Sequence, residues 1–305
     1  MSFPFILSTL AYALYSYTTR ELSPPPHSNS PPSQLPSLSD PISPFKKYYN
    51  SLPPNLQTTY TSQIGDTPLL ELKHLSHLLT LYARSLSPPS SSPRRRSLLL
   101  KVYAKLEYRN PGGTGKDRLA LSLVAGAQSH ASLSGRRLAH IVEGSSGSTG
   151  ISLAAVCYSA RPPPGSCGGG GAAGIACTVV VPDDQSPTKG AIMRAFGAKL
   201  HQVKVAGISN PKHYVNYGRV LAKKLNEAPP PPSTCVGVLP GLAVFTDQFE
   251  SPLNYSVHYS TTGPELYLDL LRLSSSRWGG CLLASCCLLR FASALPIAFS
   301  RSALP

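Results

Sequence analysis

Between Leu100 and Asn226 the sequence alternates four times between a short apolar segment and a longer segment with helical spacing. Parallel strands need a long crossover connection, which a helix supplies, so this order predicts a parallel sheet with right-handed connections. The predicted pairs of strand and helix are 100–106 with 119–127, 138–142 with 149–160, 175–181 with 187–196, and 200–205 with 211–226. The predicted fold class is therefore α/β, with parallel sheets and flanking helices.

The residues before this pattern have a different character. Residues 1–19 carry no charged side chain and are mostly apolar. The run is shorter than the roughly 20 residues of a membrane span, and it lacks the basic start of a secretory signal. We expect an anchor or targeting segment here, with a disordered apolar tail as the alternative. Residues 20–58 are rich in proline and serine, which predicts a disordered linker.

The composition excludes several classes of protein. The formal net charge is +14, but the one dense basic run, at 94–96, has no aromatic residues among its arginines, so no nucleic-acid partner is expected. The seven cysteines include no CxxC pair, which argues against a zinc site and a disulfide framework, and no metal is expected. Beyond residues 1–19, no apolar run is long enough for a transmembrane helix, which excludes a polytopic membrane protein.

Two loops carry residues with chemical potential at predicted strand-to-helix junctions, where open α/β sheets bind ligands. The loop at 110–118 contains Lys116, which is either a solvated residue of the first helical turn or a lysine that forms a Schiff base. The loop at 143–150 offers hydroxyl groups and backbone N–H groups at a helix start, which suits a carboxylate or a phosphate. Either loop alone is weak evidence.

Together with other motifs, the two loops match a known family in order and spacing. The motifs are Ile64-Gly65-Asp66-Thr67-Pro68-Leu69, Lys105-Leu106-Glu107, Asn110-Pro111-Gly112-Gly113, Lys116-Asp117-Arg118, the loop at 143–150, Asp247-Gln248-Phe249-Glu250 and Thr262-Gly263-Pro264-Glu265. With them, residues 60–267 resemble the cysteine synthase family of pyridoxal-phosphate enzymes, and most closely its fungal membrane-associated branch. The resemblance implies fold type II, the fold of the tryptophan synthase β subunit.

The resemblance also implies roles for individual residues. Lys116 is then the catalytic lysine, bound covalently to pyridoxal 5'-phosphate. Ser148 is a cofactor contact, at a position where the family usually has asparagine. The implied substrate-binding residues are Ser145, Ser146, Gly147, Thr149 and Gln248. The implied reaction is the β-replacement of O-acetylserine with sulfide to give L-cysteine. Serine dehydratase and cystathionine synthase chemistry are alternatives on the same framework.

The resemblance ends after Tyr267. The family continues with a Gly/Thr-rich loop that binds the cofactor phosphate and, later, with a serine near the pyridine nitrogen. Neither motif follows, and residues 268–280 show neither a strand period nor a helical period. We therefore expect a partial catalytic domain at 59–267, with the second domain truncated, and an aberrant tail at 268–305. The competing interpretation is an inactive remnant or a mis-spliced product that acts at most as a binding protein.

The same resemblance implies partners and a location. The partners are a small amino-acid substrate, sulfide and a second copy of the chain in a homodimer. The implied location is mitochondrial, with a membrane tether through residues 1–19, and a cytoplasmic location is the alternative.

Overall fold

A computed structural model of the protein describes residues 42–85, 100–161, 174–228 and 241–273. In chain order the helices and strands are α1 (Pro44–Asn50), β1 (Leu69–Glu71), α2 (Lys73–Ser85), β2 (Tyr103–Lys105), α3 (Lys116–Leu133), β3 (Leu138–Gly144), α4 (Ser148–Ser159), β4 (Ala176–Pro182), α5 (Pro187–Ala195), β5 (Lys199–Val203), α6 (Tyr214–Glu227), β6 (Leu242–Phe245), α7 (Leu253–Val257) and α8 (Gly263–Leu273). A π-helical turn, His258–Thr262, joins α7 to α8.

Four parallel strands form the main sheet, in the order β5-β4-β3-β6. The parallel sheet predicted from the sequence is confirmed, and the last three predicted pairs of strand and helix lie within a few residues of their expected bounds. The sequence does not predict the edge strand β6, because its four residues are too few to show a period.

The sheet is covered on both faces. Alternate side chains of a strand point to opposite faces, and on β4 Val179 and Val180 accordingly belong to two separate hydrophobic clusters. Val179 shares its cluster with residues of α1, α3 and α4, whereas Val180 packs with residues of α6. The central strand is therefore buried on both sides, which explains its continuous apolar sequence.

The prediction that residues 100–106 begin the parallel sheet is wrong. Only Tyr103–Lys105 forms a strand, and it pairs antiparallel with β1 in a separate two-stranded sheet. The backbone N–H groups of Leu100 and Val102 are bound instead by the hydroxyl groups of Thr80 and Ser76 on α2. The alternation of apolar and polar residues indicates a half-buried strand correctly, but it does not distinguish which sheet the strand joins.

The predicted disordered linker at 20–58 is wrong for its last part. Ser43 caps α1 through a hydrogen bond from the Lys46 N–H, and Pro44 occupies the first helical position, where proline is favourable. The apolar side chains that follow are buried in the main core, namely Phe45, Tyr49, Leu52 and Leu56. Prolines here begin helical turns instead of preventing order.

The predicted boundary of the aberrant tail at residue 268 is also wrong. Helix α8 continues to Leu273, with Leu268 and Leu270 buried, and Asp269 pairs with Lys105 at 2.9 Å. Residues 268–273 are the second half of this helix, and they are too few to show a helical period on their own. Residues 268–273 therefore belong to the fold.

Three predicted segments lie outside the described residues: the apolar segment 1–19, the linker up to residue 41, and the tail from residue 274. Among the helices that the structure describes, none is both long and apolar enough to cross a membrane.

Candidate functional site

Lys116 is the first residue of α3 and is half-buried. The turn that leads to it is held by Asn110, whose Oδ1 accepts the Gly65 N–H at 2.8 Å and whose amide group donates to the Glu107 carbonyl at 2.8 Å. Asn110 is itself buried. The turn before the lysine is therefore fixed by side-chain contacts with a distant part of the chain.

The loop at 145–149 lies between β3 and α4, at the carboxyl end of a central strand. The Ser145 hydroxyl oxygen accepts the N–H groups of Gly147 at 3.2 Å and Gly150 at 3.1 Å, so this side chain folds the loop onto the helix start. Ser146 and Ser148 are exposed, whereas Gly147 is buried. The structure therefore separates an exposed pair of hydroxyl groups from a buried serine that holds the loop.

Thr149 and Gln248, which are distant in sequence, meet at this loop. The Thr149 hydroxyl donates to Gln248 Oε1 at 2.6 Å, and Gln248 Nε2 donates to the Gly144 carbonyl at 2.8 Å. Both side chains are buried. The substrate-binding residues predicted from the resemblance at 145–149 and 248 thus form one continuous group.

Glu143 holds the segment 246–248 next to the end of β3. Its carboxyl group accepts the Thr246 hydroxyl at 2.5 Å, the Gln248 N–H at 3.1 Å and the Gly144 N–H at 2.9 Å. The side chain is completely buried, and this burial raises the pKa of Glu143 to about 7, against the lowering effect of its hydrogen bonds. The sequence motif includes this glutamate but gives it no role.

A buried ion cluster lies behind the lysine turn. Arg118, which is 0% exposed, binds Glu107 through Nε and Nη2, each at 2.9 Å, and binds both oxygens of Glu265 at 2.5 and 2.8 Å. Lys105 contacts Glu265 at 3.0 Å and Asp269 at 2.9 Å. Burial alone would raise the pKa of Glu107, but the hydrogen bonds and charge of Arg118 hold it below its ordinary value.

His258, in the π-helical turn, faces the same region. Burial, together with the positive charges of Arg118 and Lys116, lowers the pKa of His258 to about 4. The imidazole is therefore neutral at physiological pH. The Nδ1 atom lies 3.0 Å from the Thr262 hydroxyl.

Three further residues organise this site from within the protein, and the sequence motifs alone assign them no role. Asp117, Glu143 and Ser152 are buried and hydrogen-bonded around the two loops. The sequence signal for the two carboxylates is that Asp117 directly follows Lys116 and that Glu143 begins the loop at 143–150 after an apolar strand. Ser152 carries no such signal, because it is one of several serines in α4.

Comparison with known proteins identifies the family. Residues 60–278 match the family model described as "Pyridoxal-phosphate dependent enzyme". The putative mitochondrial cysteine synthase of Saccharomyces cerevisiae is 34% identical over 203 residues, which are 67% of this chain and 41% of that protein. Cysteine synthase B of Salmonella typhimurium is 30% identical over 210 residues, covering 68% of this chain and 52% of that protein. Cystathionine beta-synthase of Saccharomyces cerevisiae is 28% identical over 208 residues, covering 68% and 32% of the two chains.

The chain thus spans about half or less of the length of these relatives. Among solved structures, the crystal structure of O-ureido-L-serine synthase is 28% identical, with a TM-score of 0.43 and coverage of 72% of this chain and 51% of that one. The family model covers most of the chain, including helix α8 beyond Tyr267. The chain therefore belongs to the cysteine synthase family of pyridoxal-phosphate-dependent enzymes.

Proposed function

We propose that the chain carries part of the active site of a cysteine synthase, in which Lys116 binds pyridoxal 5'-phosphate and sulfide replaces the acetate of O-acetylserine. The single observation that carries this proposal is an arrangement of two elements. Lys116 is half-buried at the end of a fixed turn, and the loop at 145–149, at the start of α4, is linked to Gln248 through the buried Thr149. The family membership of residues 60–278 supports the same chemistry.

The residues present fit the lysine end of this cofactor. A lysine that binds a carbonyl group covalently needs a fixed position, and Lys116 is half-buried and follows a turn that side-chain contacts hold in place. When bound, pyridoxal phosphate withdraws electrons from the substrate Cα and so makes its proton acidic. In this proposal Ser148, exposed at the start of α4, is the cofactor contact on the side of the carboxylate loop.

The loop at 145–149 is proposed to bind the substrate carboxylate. The start of α4 supplies N–H groups and the positive end of the helix dipole, which favour a negative ligand. Ser146 contributes backbone and hydroxyl donors, while Ser145 holds the buried Gly147 and the start of α4 in place. Thr149 and Gln248 close the inner side of the loop through their mutual hydrogen bond.

Lys116 has two proposed tasks in the reaction. Its amine would hold the cofactor covalently until the amino group of the substrate takes its place. The free amine would then remove the proton from the substrate Cα as acetate leaves Cβ, and would return that proton to Cα after sulfide has added at Cβ.

Cystathionine synthase chemistry is the second candidate, because cystathionine beta-synthase of Saccharomyces cerevisiae is among the relatives. It uses the same lysine and the same carboxylate loop, and it differs in the leaving group and the nucleophile. An inactive remnant remains the competing interpretation of the sequence, and the experiment below also decides it.

The test is covalent trapping followed by an assay. The chain is incubated with pyridoxal phosphate, reduced with borohydride and digested, and the modified lysine is located by mass spectrometry. We expect the label on Lys116, its loss in Lys116→Ala, and its retention in Lys223→Ala, an exposed lysine on α6. Cysteine formation from O-acetylserine and sulfide, compared with cystathionine formation from serine and homocysteine, then separates the two candidates. Label distributed evenly over many lysines contradicts the proposal, and label on Lys116 without turnover supports the inactive remnant.

We also propose a mitochondrial location, which is supported by the similarity to the putative mitochondrial cysteine synthase of Saccharomyces cerevisiae. A fluorescent fusion to the full chain is expected to colocalise with a mitochondrial marker, and diffuse fluorescence contradicts this. A membrane tether through residues 1–19 and a homodimer stay predictions, to be checked by carbonate extraction and by analytical ultracentrifugation.

A further inference from the structure

Asp117 follows Lys116 directly, and its buried carboxylate contacts two separate parts of the site. Oδ2 accepts the Gly112 N–H at 2.6 Å, and Oδ1 accepts the Ser152 hydroxyl at 2.5 Å. The side chain is 0% exposed, so these two protein groups take the place of water around the carboxylate. Gly112 lies in the turn before Lys116, whereas Ser152 lies on α4.

The turn is shaped to receive this carboxylate. A Cβ atom on Gly112 would lie 2.3 Å from Asp117 Oδ1, which is closer than any real contact. Glycine at this position therefore lets the carboxylate approach the backbone N–H. The hydrogen bond from Gly112 fixes the beginning of the turn to the second residue of α3, and Lys116 lies between the two.

Ser152 connects the same carboxylate to the loop at 145–149. The Ser145 hydroxyl binds the N–H groups of Gly147 and Gly150, so the loop and the first turn of α4 form one hydrogen-bonded unit. Ser152 lies in the next turn of that helix and is completely buried. A bond to Ser152 is therefore a bond to the element that carries the loop.

We propose that Asp117 is a positioning residue that holds the Lys116 turn and the 145–149 loop at a fixed distance through its bonds to Gly112 and Ser152. This inference rests on the proposed function, because it assigns a purpose to the hydrogen bonds that join the Lys116 turn to the helix that carries the 145–149 loop. A simpler role for Asp117 is to stabilise the α3 N-terminus as a negative charge. That role involves no contact with Ser152, so the two can be separated experimentally.

The experiment compares serine variants of the same helix. Ser152→Ala removes the contact to Asp117. Ser159→Ala removes a hydroxyl whose one hydrogen bond among the described residues is to the Val156 carbonyl of its own helix, at 2.9 Å. Hydrogen exchange of the backbone around Gly112 is measured in each variant, together with the fraction of borohydride-trapped pyridoxal phosphate found on Lys116. We expect Ser152→Ala to increase the exchange rate about threefold or more and to lower the labelled fraction about tenfold, and Ser159→Ala to change neither.

Two variants of Asp117 supply the conservative rescue. Asparagine can accept the Gly112 N–H with its oxygen and donate its NH₂ group to the Ser152 hydroxyl oxygen, so Asp117→Asn is expected to retain most of the label on Lys116. Asp117→Ala loses both contacts and is expected to lose the label about tenfold. If Asp117 acts only on the helix dipole, both variants should lose the same amount of label, because both remove the charge.

Each outcome separates the positioning role from the proposed function. Ser152→Ala that matches the unmodified chain in both exchange and labelling overturns the positioning role. Equal impairment of Asp117→Asn and Asp117→Ala overturns it as well. An unmodified chain without label on Lys116 contradicts the proposed function, and the exchange measurements, which need no cofactor, still support or overturn the link between the two loops.

Discussion

Removing Arg118 should destabilise the protein more than any other single charge change in the described residues, because the buried Glu265 and the half-buried Glu107 both lose the guanidinium that binds them. Arg118 donates to two carboxylates at once, with four contacts of 2.5 to 2.9 Å to Glu107 and Glu265. Without it, Lys105 is the one cation left in contact with Glu265 among the described residues, and it also pairs with Asp269. Breaking one buried ion pair by removing one partner costs about 3 to 5 kcal/mol. We therefore expect Arg118→Met to lower the free energy of unfolding by at least about 4 kcal/mol.

The matched control is Arg219→Met. Arg219 also binds a carboxylate, that of Asp247, at 2.8 Å, but its side chain is 56% exposed. An exposed ion pair contributes about 0 to 1 kcal/mol, so the control should lose no more than that. Urea unfolding followed by circular dichroism gives both values on one scale. Arg118→Lys, which keeps the charge and loses the paired contacts, should fall between them.

A double-mutant cycle isolates the pair. In Arg118→Met combined with Glu265→Gln, the carboxylate that the first change leaves unpaired is no longer charged. We expect the double variant to lose about 2 kcal/mol less than the sum of the single losses, as for residues in direct contact. A loss for Arg118→Met as small as that of Arg219→Met, or simple additivity in the cycle, would refute the reasoning that burial makes this cluster costly to break.

Three further predictions concern single residues. Burial raises the pKa of Glu143 to about 7, so its contribution to stability is complete below the unfolded pKa of about 4.5 and is lost as the pH rises through 7. This loss amounts to about 3 kcal/mol, and Glu143→Gln should remove it. Urea midpoints measured between pH 4.5 and 8 test this prediction. His258 has the opposite effect, because its pKa is lowered to about 4 in the folded protein. Its contribution to stability is complete above about pH 6.5 and is lost as the pH falls towards 4, so His258→Gln should flatten the acid side of the curve of stability against pH. Phe45→Ala, at a 2% exposed core position, should cost about 3 to 5 kcal/mol, whereas Leu133→Ala, at an 89% exposed position, should cost less than about 0.5 kcal/mol by the same measurement.

The sequence predicts the main sheet well because its strands are buried on both faces and separated by helices of ordinary length. Val179 and Val180 are both apolar although they point to opposite faces, and that continuity is visible in one dimension. β2 is harder to place, because its partner strand is chosen by packing with α2 and by the inward contacts of Lys105. Local pattern establishes that a strand exists, and tertiary contacts decide where it pairs.

The last part of the predicted linker, from residue 42 to residue 58, fails as a prediction for a related reason. Proline and serine content estimates how much apolar surface a segment can bury on average, but α1 needs only a few apolar residues at the right spacing to join an existing core. Phe45 and Tyr49 lie four residues apart on one face of α1 and are both buried. Composition over a long window hides such a short amphipathic helix.

The candidate site could be predicted as a set of motifs but not as a network. The sequence places Thr149 and Gln248 in separate motifs, and only the fold brings their side chains to 2.6 Å. The same holds for Arg118 and Glu265, which lie 147 residues apart in the chain. Such pairings have no local signal, because each partner satisfies its hydrogen bonds far from its own element.

The ion cluster explains why the separate motifs occur together in order. Thr67, Lys105, Glu107, Arg118 and Glu265 come from four motifs of the sequence, and in the structure they contact one another around the lysine turn. The polar groups in such a buried cluster require each other, since the loss of one leaves another unpaired. The four motifs therefore supply the residues of one structural unit, which lies behind Lys116. Because Glu265 and Asp269 lie on α8, that unit is complete only when this helix is included, which agrees with a family match that continues past Tyr267 to residue 278.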